Sequence, residues 1–419
     1  MSPTTDSLPV SETIKPTSLD EVTAQLRACC GDDVAVYPVG GGTSLDFGLP
    51  ARKPGIALSL RGLQRVVEYP ARDMTVTVEA GMTLQSLAEL LAAERQQLPL
   101  DVPQASAATV GGMIATNFNG PRRYGYGTIR DYVIGIHAVD GTGRPFKGGG
   151  RVVKNVAGYD FCKLLTGSLG TLGVITQVTF KLKPLCERRA VVICGLDGLR
   201  QAESVLAGLV HSRTTPTAIE LLQGPAWSED PALRGNDAAA PALSPRGLYL
   251  AVAVEGTDPE VRWMVEQLGR EFWEHRIAEM QTLLDDDATA FLQRIVAFPV
   301  GPAGTIRVKA SVVPSRVTDW CQSLLALDPD CSWLAHAGNG IVVARFARLP
   351  AGGMTKGIIG RLQSAATAAS GSVVMLSHVG GEATHQSIWG PLTGPLAVMK
   401  AVKCEFDPRN ILNPDRFVY

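Results

Sequence analysis

Apolar and polar positions alternate with two periods through the first part of the chain. Val174, Thr176, Val178, Phe180 and Leu182 fall on one side of a period-two segment and Ile175, Gln177, Thr179, Lys181 and Lys183 on the other, which predicts a half-buried strand. Thr75 to Glu79 alternates in the same way, Val34 to Tyr37 reads as a buried strand, and Tyr132 to Val139 runs into Asp140-Gly141, a hairpin signal followed by a return strand. Helical spacing appears in Leu84, Leu87, Leu90 and Leu91 behind a Thr83 cap, and in Leu19 to Cys30 behind Ser18, with acids in its first turn. A short helix from Asp160 to Thr166 should stop at Gly167. The composition changes after Pro184. A strand at Val191 to Cys194, a helix at Leu199 to Val210, a strand at Leu248 to Val254 and a helix at Pro259 to Ile277 predict a second unit of α+β type, and Glu229 to Pro245 reads as a long surface loop.

Two glycine-centred segments stand between the predicted elements of the first unit: Pro38-Val39-Gly40-Gly41-Gly42-Thr43-Ser44 and Thr109-Val110-Gly111-Gly112-Met113. Consecutive glycines leave backbone N–H groups unshielded and able to form an anion nest, so a pair of such loops suits a diphosphate. The first follows a predicted strand, the position at which open α/β sheets bind ligands. Neither segment is the Gly-x-Gly-x-x-Gly of a nicotinamide site or the Gly-x-x-x-x-Gly-Lys of a P-loop. Gly170 and Gly173, within Leu164 to Thr176, let the chain pass close to a flat ligand before the strand at Val174 begins.

The 419 residues are 45% hydrophobic, enough for two sizeable cores. A net charge of −1 without a basic stripe argues against a nucleic-acid partner, and no apolar run approaches a membrane span. The N-terminus carries no signal-peptide pattern, which predicts a cytoplasmic protein that reaches the inner face of a membrane only through partners. The eight cysteines form no Cys-x-x-Cys pair or cluster-binding run, and Cys29-Cys30 close a predicted helix, so all are expected as reduced structural thiols. His137, alone in a β-branched strand, reads as structural.

The glycine segments, with Gly167-Ser168-Leu169-Gly170-Thr171-Leu172-Gly173-Val174-Ile175 and the C-terminal stretch from Lys403 to Pro414, resemble the vanillyl-alcohol-oxidase/PCMH flavoprotein family. Together with Ile388-Trp389-Gly390-Pro391 they look most like the smaller FAD-binding subunits of glycolate oxidases, also called glycolate dehydrogenases. Most relatives carry Glu at the position of Leu169, and the usual Asn-Pro-Gly ending is here Asn413-Pro414-Asp415. The resemblance implies a two-subdomain PCMH-type FAD-binding domain over 18–185, after a flexible 1–17. A cap domain over 186–400 and a segment at 401–419 that packs back on the FAD domain complete the expected α+β architecture. It also implies FAD held by Pro38, Val39, Gly40, Gly41, Gly42, Thr43, Ser44, Thr109, Gly111, Gly112, Gly170, Gly173, Val174, Ile175 and Asn413. The histidine that often attaches the flavin is replaced by glycine and Thr43-Ser44, so the FAD is expected to be non-covalent.

The implied reaction removes hydride from the α-carbon of a 2-hydroxy acid. Catalytic relatives carry His-Ala-Gly-Asp-Gly-Asn-Leu-His, whose last histidine helps bind a metal. This chain reads His336-Ala337-Gly338-Asn339-Gly340-Ile341-Val342-Val343, and valine ligates no metal. His336, His378 and Arg345 are the candidate catalytic residues, Arg307 is a second candidate for a carboxylate clamp, and no metal is expected. His336, His378, Glu382 and His385 converging as a site is the less favoured alternative. Four functions remain open: an FAD subunit working beside a larger related FAD subunit and an iron–sulfur subunit of a glycolate oxidase complex; a stand-alone oxidoreductase of another 2-hydroxy acid such as D-lactate; a non-catalytic electron-transfer or scaffold subunit; and a stand-alone oxidase of a sugar lactone or another alcohol.

Overall fold

The computed structural model describes residues 8–151, 158–228, 230–233, 244, 247–301, 305–348, 353–377, 383–391, 394 and 396–417. The expected loop at 229–245 therefore falls largely outside the described residues.

The first unit contains two sheets. Val10–Ile14, Gly55–Ser59 and Ala35–Val39 form a parallel sheet with Gly55–Ser59 in the middle. Val10–Ile14 lies in the segment expected as flexible. It is instead an edge strand, because its backbone pairs with Gly55–Ser59 while Val10 packs beside Tyr37 and Ala57. The helix Leu19–Asp32, capped by Ser18, lays Val22, Leu26 and Cys29 against this sheet. The second sheet is antiparallel, in the order Val66–Glu68, Thr75–Glu79, Val174–Lys181, Val133–Val139 and Pro145–Gly149. Val174–Lys181 is central and buried along both faces, not half-buried as its alternation predicts. Its second face is closed by protein: Thr179 and Thr77 meet hydroxyl to hydroxyl at 3.0 Å, a cross-strand pair that lets threonine alternate with apolar residues in a dry interior.

The chain then enters an eight-stranded antiparallel sheet, in the order Met280–Leu284, Arg188–Leu196, Leu248–Gly256, Ala218–Gln223, Ser332–His336, Ile341–Phe346, Ile306–Ser311 and Ser372–Ser377. Helices Leu199–Leu209, Asp258–Glu274, Val317–Leu327 and Gly360–Ala368 bury their apolar stripes on one face, with Phe272 and Trp320 fully enclosed. Each such side chain contributes about 1.5–3 kcal/mol of transfer free energy. Helix Asp285–Ala297 covers part of the other face through Phe291 and Ile295.

Arg122 joins the two units. It donates from Nε to Asp101 at 2.8 Å and reaches Glu255 of the larger sheet at 3.4 Å, where Tyr126 and Arg189 also donate to Glu255 at 2.6 and 2.7 Å. Burial works to raise the Glu255 pKa, but Arg122 and Arg189 outweigh it and hold the carboxyl below its ordinary range.

Beyond the large sheet, the helix Leu396–Phe406 brings the chain back to the first unit. Leu412 forms a parallel bridge to Val36, with Val36 N–H donating to Ile411 at 2.8 Å and Asn413 N–H to Val36 at 3.0 Å. Buried Lys403 anchors the return by donating to the Thr171 carbonyl at 2.8 Å, Asp407 at 2.7 Å and the Leu412 carbonyl at 3.0 Å. All eight cysteines are unbonded, and burial pushes the Cys29 thiol up.

Candidate active site

A cleft of about 560 Å³ runs between the small sheets and the large one. All fifteen residues expected at the cofactor line it: Pro38 to Ser44, Thr109, Gly111, Gly112, Gly170, Gly173, Val174, Ile175 and Asn413. The first glycine loop leaves the strand Ala35–Val39 and turns through Gly42 at a φ of 73°. The N–H groups of Gly41, Gly42, Thr43 and Ser44 have no acceptor among the described residues. Glycine is needed here for a close approach between the two segments: a Cβ on Gly40 would lie 2.1 Å from Thr109 Oγ1, and one on Gly41 would lie 1.9 Å from the Ala107 carbonyl oxygen.

The second glycine segment departs from the expected pair of anion nests. Thr109 caps a helix, Val110–Thr116, and accepts from Gly112 N–H at 3.3 Å, while Val110 and Gly111 donate to the Met82 and Ala80 carbonyls at 3.0 and 2.8 Å. Its amides are spent, so it forms a wall, and of the two glycine segments the first holds the free donors among the described residues. A Cβ on Gly112 would meet only Thr109 Oγ1, at 3.3 Å, which leaves space on the cleft side. On the opposite flank Leu169, at a φ of 53°, presents its carbonyl to Asn413 Nδ2 at 2.7 Å beside Gly170.

The large sheet contributes Arg307 and Lys309 from one strand, together with Pro299, Val300 and Leu376. Arg307 donates to Ser377 Oγ at 2.6 Å and to the carbonyls of Pro299, at 2.8 Å, and Val300. Lys309 has no acceptor among the described residues. Burial pushes its pKa down and the neighbouring Arg123 adds to the shift. Lys309 is half-buried and lines the cleft without an acceptor, so its amine is open to a ligand on that side.

Neither Arg345 nor His336, the two expected catalytic residues that are described, lines the cleft. Arg345 pairs across the strands with Arg307 but lies outside it, donating to the Phe298 carbonyl and stacking over the Phe298 ring at 4.0 Å; burial, with Arg307 adding to it, brings its pKa to about 10. His336 is buried in the strand Ser332–His336, its Nδ1 2.7 Å from Glu220 Oε2. Burial pulls the Glu220 carboxyl up against the opposing effect of His336, and Glu220 Oε1 has no partner. His378 and Glu382 lie outside the described residues. Among those described, no three His, Cys, Asp or Glu side chains come together around a point that would suit a metal. Sequence reasoning missed Lys309 and Glu220. Glu220 carries a readable signal, a single acid inside the apolar run Ala218 to Leu222, which implies a buried partner.

The residues fit FAD. Four free amides in one loop match a diphosphate, the glycine-faced wall at Gly112 admits a flat ring close to the backbone, and the cleft lies within the ~300–1,000 Å³ typical of cofactor sites. Fold and cradle together define an FAD-linked oxidoreductase. The chain belongs to the FAD-linked oxidase family: the pattern of the family's C-terminal domain matches residues 185–417 and that of the FAD binding domain residues 10–149.

Among the relatives, the glycolate oxidase subunit GlcD of Bacillus subtilis is 27% identical over 96% of this chain and 88% of its own length. A D-lactate dehydrogenase of Anaerostipes hadrus is 27% identical over 97% of this chain and 89% of its own. The glycolate oxidase subunit GlcE of Escherichia coli is 34% identical, over 38% of this chain and 45% of its own. Among solved structures, chitooligosaccharide oxidase shares the fold with a TM-score of 0.67, at 16% identity over 98% of this chain and 92% of that one.

Proposed function

We propose that this chain oxidises a small 2-hydroxy acid, glycolate foremost, as an FAD subunit of a glycolate oxidase complex that includes a larger related FAD subunit and an iron–sulfur subunit. The observation that carries the reading is Lys309, a half-buried lysine without an acceptor among the described residues that lines the same cleft as the glycine loop. Bound FAD supplies the hydride acceptor. Gly41 to Ser44 hold its diphosphate through their N–H groups, Gly112 and Asn413 flank the ring, and Lys309 with Arg307 orients the carboxylate of the acid. No histidine or cysteine is among the described residues lining the cleft, which supports non-covalent flavin. We place the boundary between flavin unit and cap at 185–186, with 401–419 assigned to the flavin unit. We also place the protein in the cytoplasm; no helix among the described residues is long and apolar enough to cross a membrane. Full-length similarity to a D-lactate dehydrogenase favours D-lactate as the second reading.

The test is the visible spectrum of the purified chain before and after anaerobic addition of glycolate or D-lactate. Bleaching by glycolate supports the proposal and bleaching by D-lactate alone selects the second reading. Flavin bands that persist with both acids assign the chain a non-catalytic role.

A further inference from the structure

The outer face of helix Asp258–Glu274 is unusual for a helix with a well-buried inner face. Val261, Met264, Leu268 and Phe272 are buried, yet Trp263 is 43% exposed and Trp273 69% exposed. At 3.6 residues per turn, Trp263, Glu266, Arg270 and Trp273 fall within about 80° of one another, directly opposite the buried stripe. Isolated exposed apolar residues are ordinary; two tryptophans on one charged face mark a contact surface.

The order of residues on this face is self-complementary. Reversing the helix about Leu268 brings Trp263 level with Trp273 and Glu266 level with Arg270. The flanking Arg262, which pairs with Asp258 at 2.9 Å, comes level with Glu274. Within one chain Glu266 and Arg270 are only loosely joined, at 3.7 Å with both side chains mostly exposed, so both heads are available to a partner. A shallow groove lined by Glu266, Gly269, Arg270, Trp273 and Glu274 runs beside Trp273, its side lowered by the missing side chain of Gly269. A tryptophan arriving level with Trp273 meets that groove.

From this charge complementarity we propose that the face binds a second copy of this chain, helix antiparallel to helix, about a two-fold axis near Leu268. Trp263 of each copy enters the groove beside Trp273 of the other, and Glu266 of each meets Arg270 of the other. A two-fold interface requires this reciprocity, since residue i must accept j while j accepts i. None of these residues lines the cleft, so the inference does not rest on the assigned substrate.

Sedimentation velocity on the full chain across a concentration series tests the inference. The wild-type chain should form a dimer. Glu266→Arg alone and Arg270→Glu alone each set like charges level across the axis and should weaken dimerisation at least tenfold. Mixing the two single variants should restore it, because in the mixed pair both contacts again join opposite charges; the double variant Glu266→Arg/Arg270→Glu should recover it too. Far-UV circular dichroism and flavin content, expected unchanged, separate these effects from misfolding. A monomeric wild-type chain overturns the proposal, as does a dimer indifferent to both reversals or binding of a different subunit at Trp273 with no self-association.

Discussion

Lys309 and Val343 face each other across adjacent antiparallel strands. Val343 occupies the position at which the resembling catalytic enzymes carry a metal-binding histidine, so in this chain a half-buried lysine stands beside the place where that ligand is missing. The lysine, not the valine, lines the cleft wall.

Lys309→Met should therefore keep its flavin but lose kcat/KM for the acid by roughly ten- to a hundredfold, the equivalent of one charge-assisted hydrogen bond of ~1.5–3 kcal/mol. Lys309→Arg should recover part of the loss. Flavin absorbance and steady-state rates measured on the same preparations distinguish this from simple unfolding.

The same residue sets a pH dependence. Substrate needs the protonated amine, and burial places its pKa below the usual ~10.4, so KM should be lowest below the depressed value and rise as pH climbs through it. Stability should move the other way. Between the two pKa values the unfolded chain binds more protons than the folded one, so this lysine's contribution to unfolding free energy increases with pH there. A KM profile measured with the Lys309→Arg variant should lose that limb.

Two glycines that look equivalent in sequence should behave differently when replaced by valine. At Gly41 the new Cβ meets the Ala107 carbonyl at 1.9 Å, so the variant should fail to fold. At Gly112 it meets only Thr109 Oγ1 at 3.3 Å, so the variant should fold and lose flavin. Circular dichroism with a flavin titration reads both, and a Gly112→Val chain with a full complement of flavin would falsify the proposed cradle.

Glu220→Ala, which leaves the buried His336 ring without its hydrogen-bond partner, should cost about 1–3 kcal/mol of stability. Because neither residue lines the cleft, kcat/KM of the folded fraction should stay within about threefold, roughly 0.7 kcal/mol. A much larger loss of rate at unchanged denaturation midpoint would return His336 to the list of catalytic groups.

Lys403→Met should lower stability by about 3–5 kcal/mol, since Asp407 is then left buried without its cation. Asn413→Gly, which suits the φ of 41° and removes the bond to the Leu169 carbonyl, should weaken FAD binding by about tenfold, or ~1.4 kcal/mol, with little change in stability. Chemical denaturation and flavin dissociation constants check the two separately.

The glycine loop that lines the cleft was legible in the sequence because glycine constrains the backbone locally: a run of three after a buried strand can be read without knowing what packs on it. Thr109 to Met113 was misread as a loop for a related reason, since two glycines outweighed a good threonine cap and the helix-forming Met113-Ile114-Ala115 that follow. The substrate side was illegible. Lys309 occupies an ordinary polar position in the alternating run Ile306 to Ser311, and only the placement of the large sheet against the flavin unit turns that position toward the cleft. His336 attracted attention through its motif, yet its environment is set by Glu220, 116 residues away and visible only once the strands are paired.

The bridge between Val36 and Leu412 also constrains the order of events during synthesis. The sheet that launches the glycine loop is completed by a segment the ribosome makes only after the entire eight-stranded cap. The nascent chain can fold the cap while the flavin half still lacks Lys403, Leu412, Asn413 and Arg416, so cofactor capture belongs to the last stage of maturation.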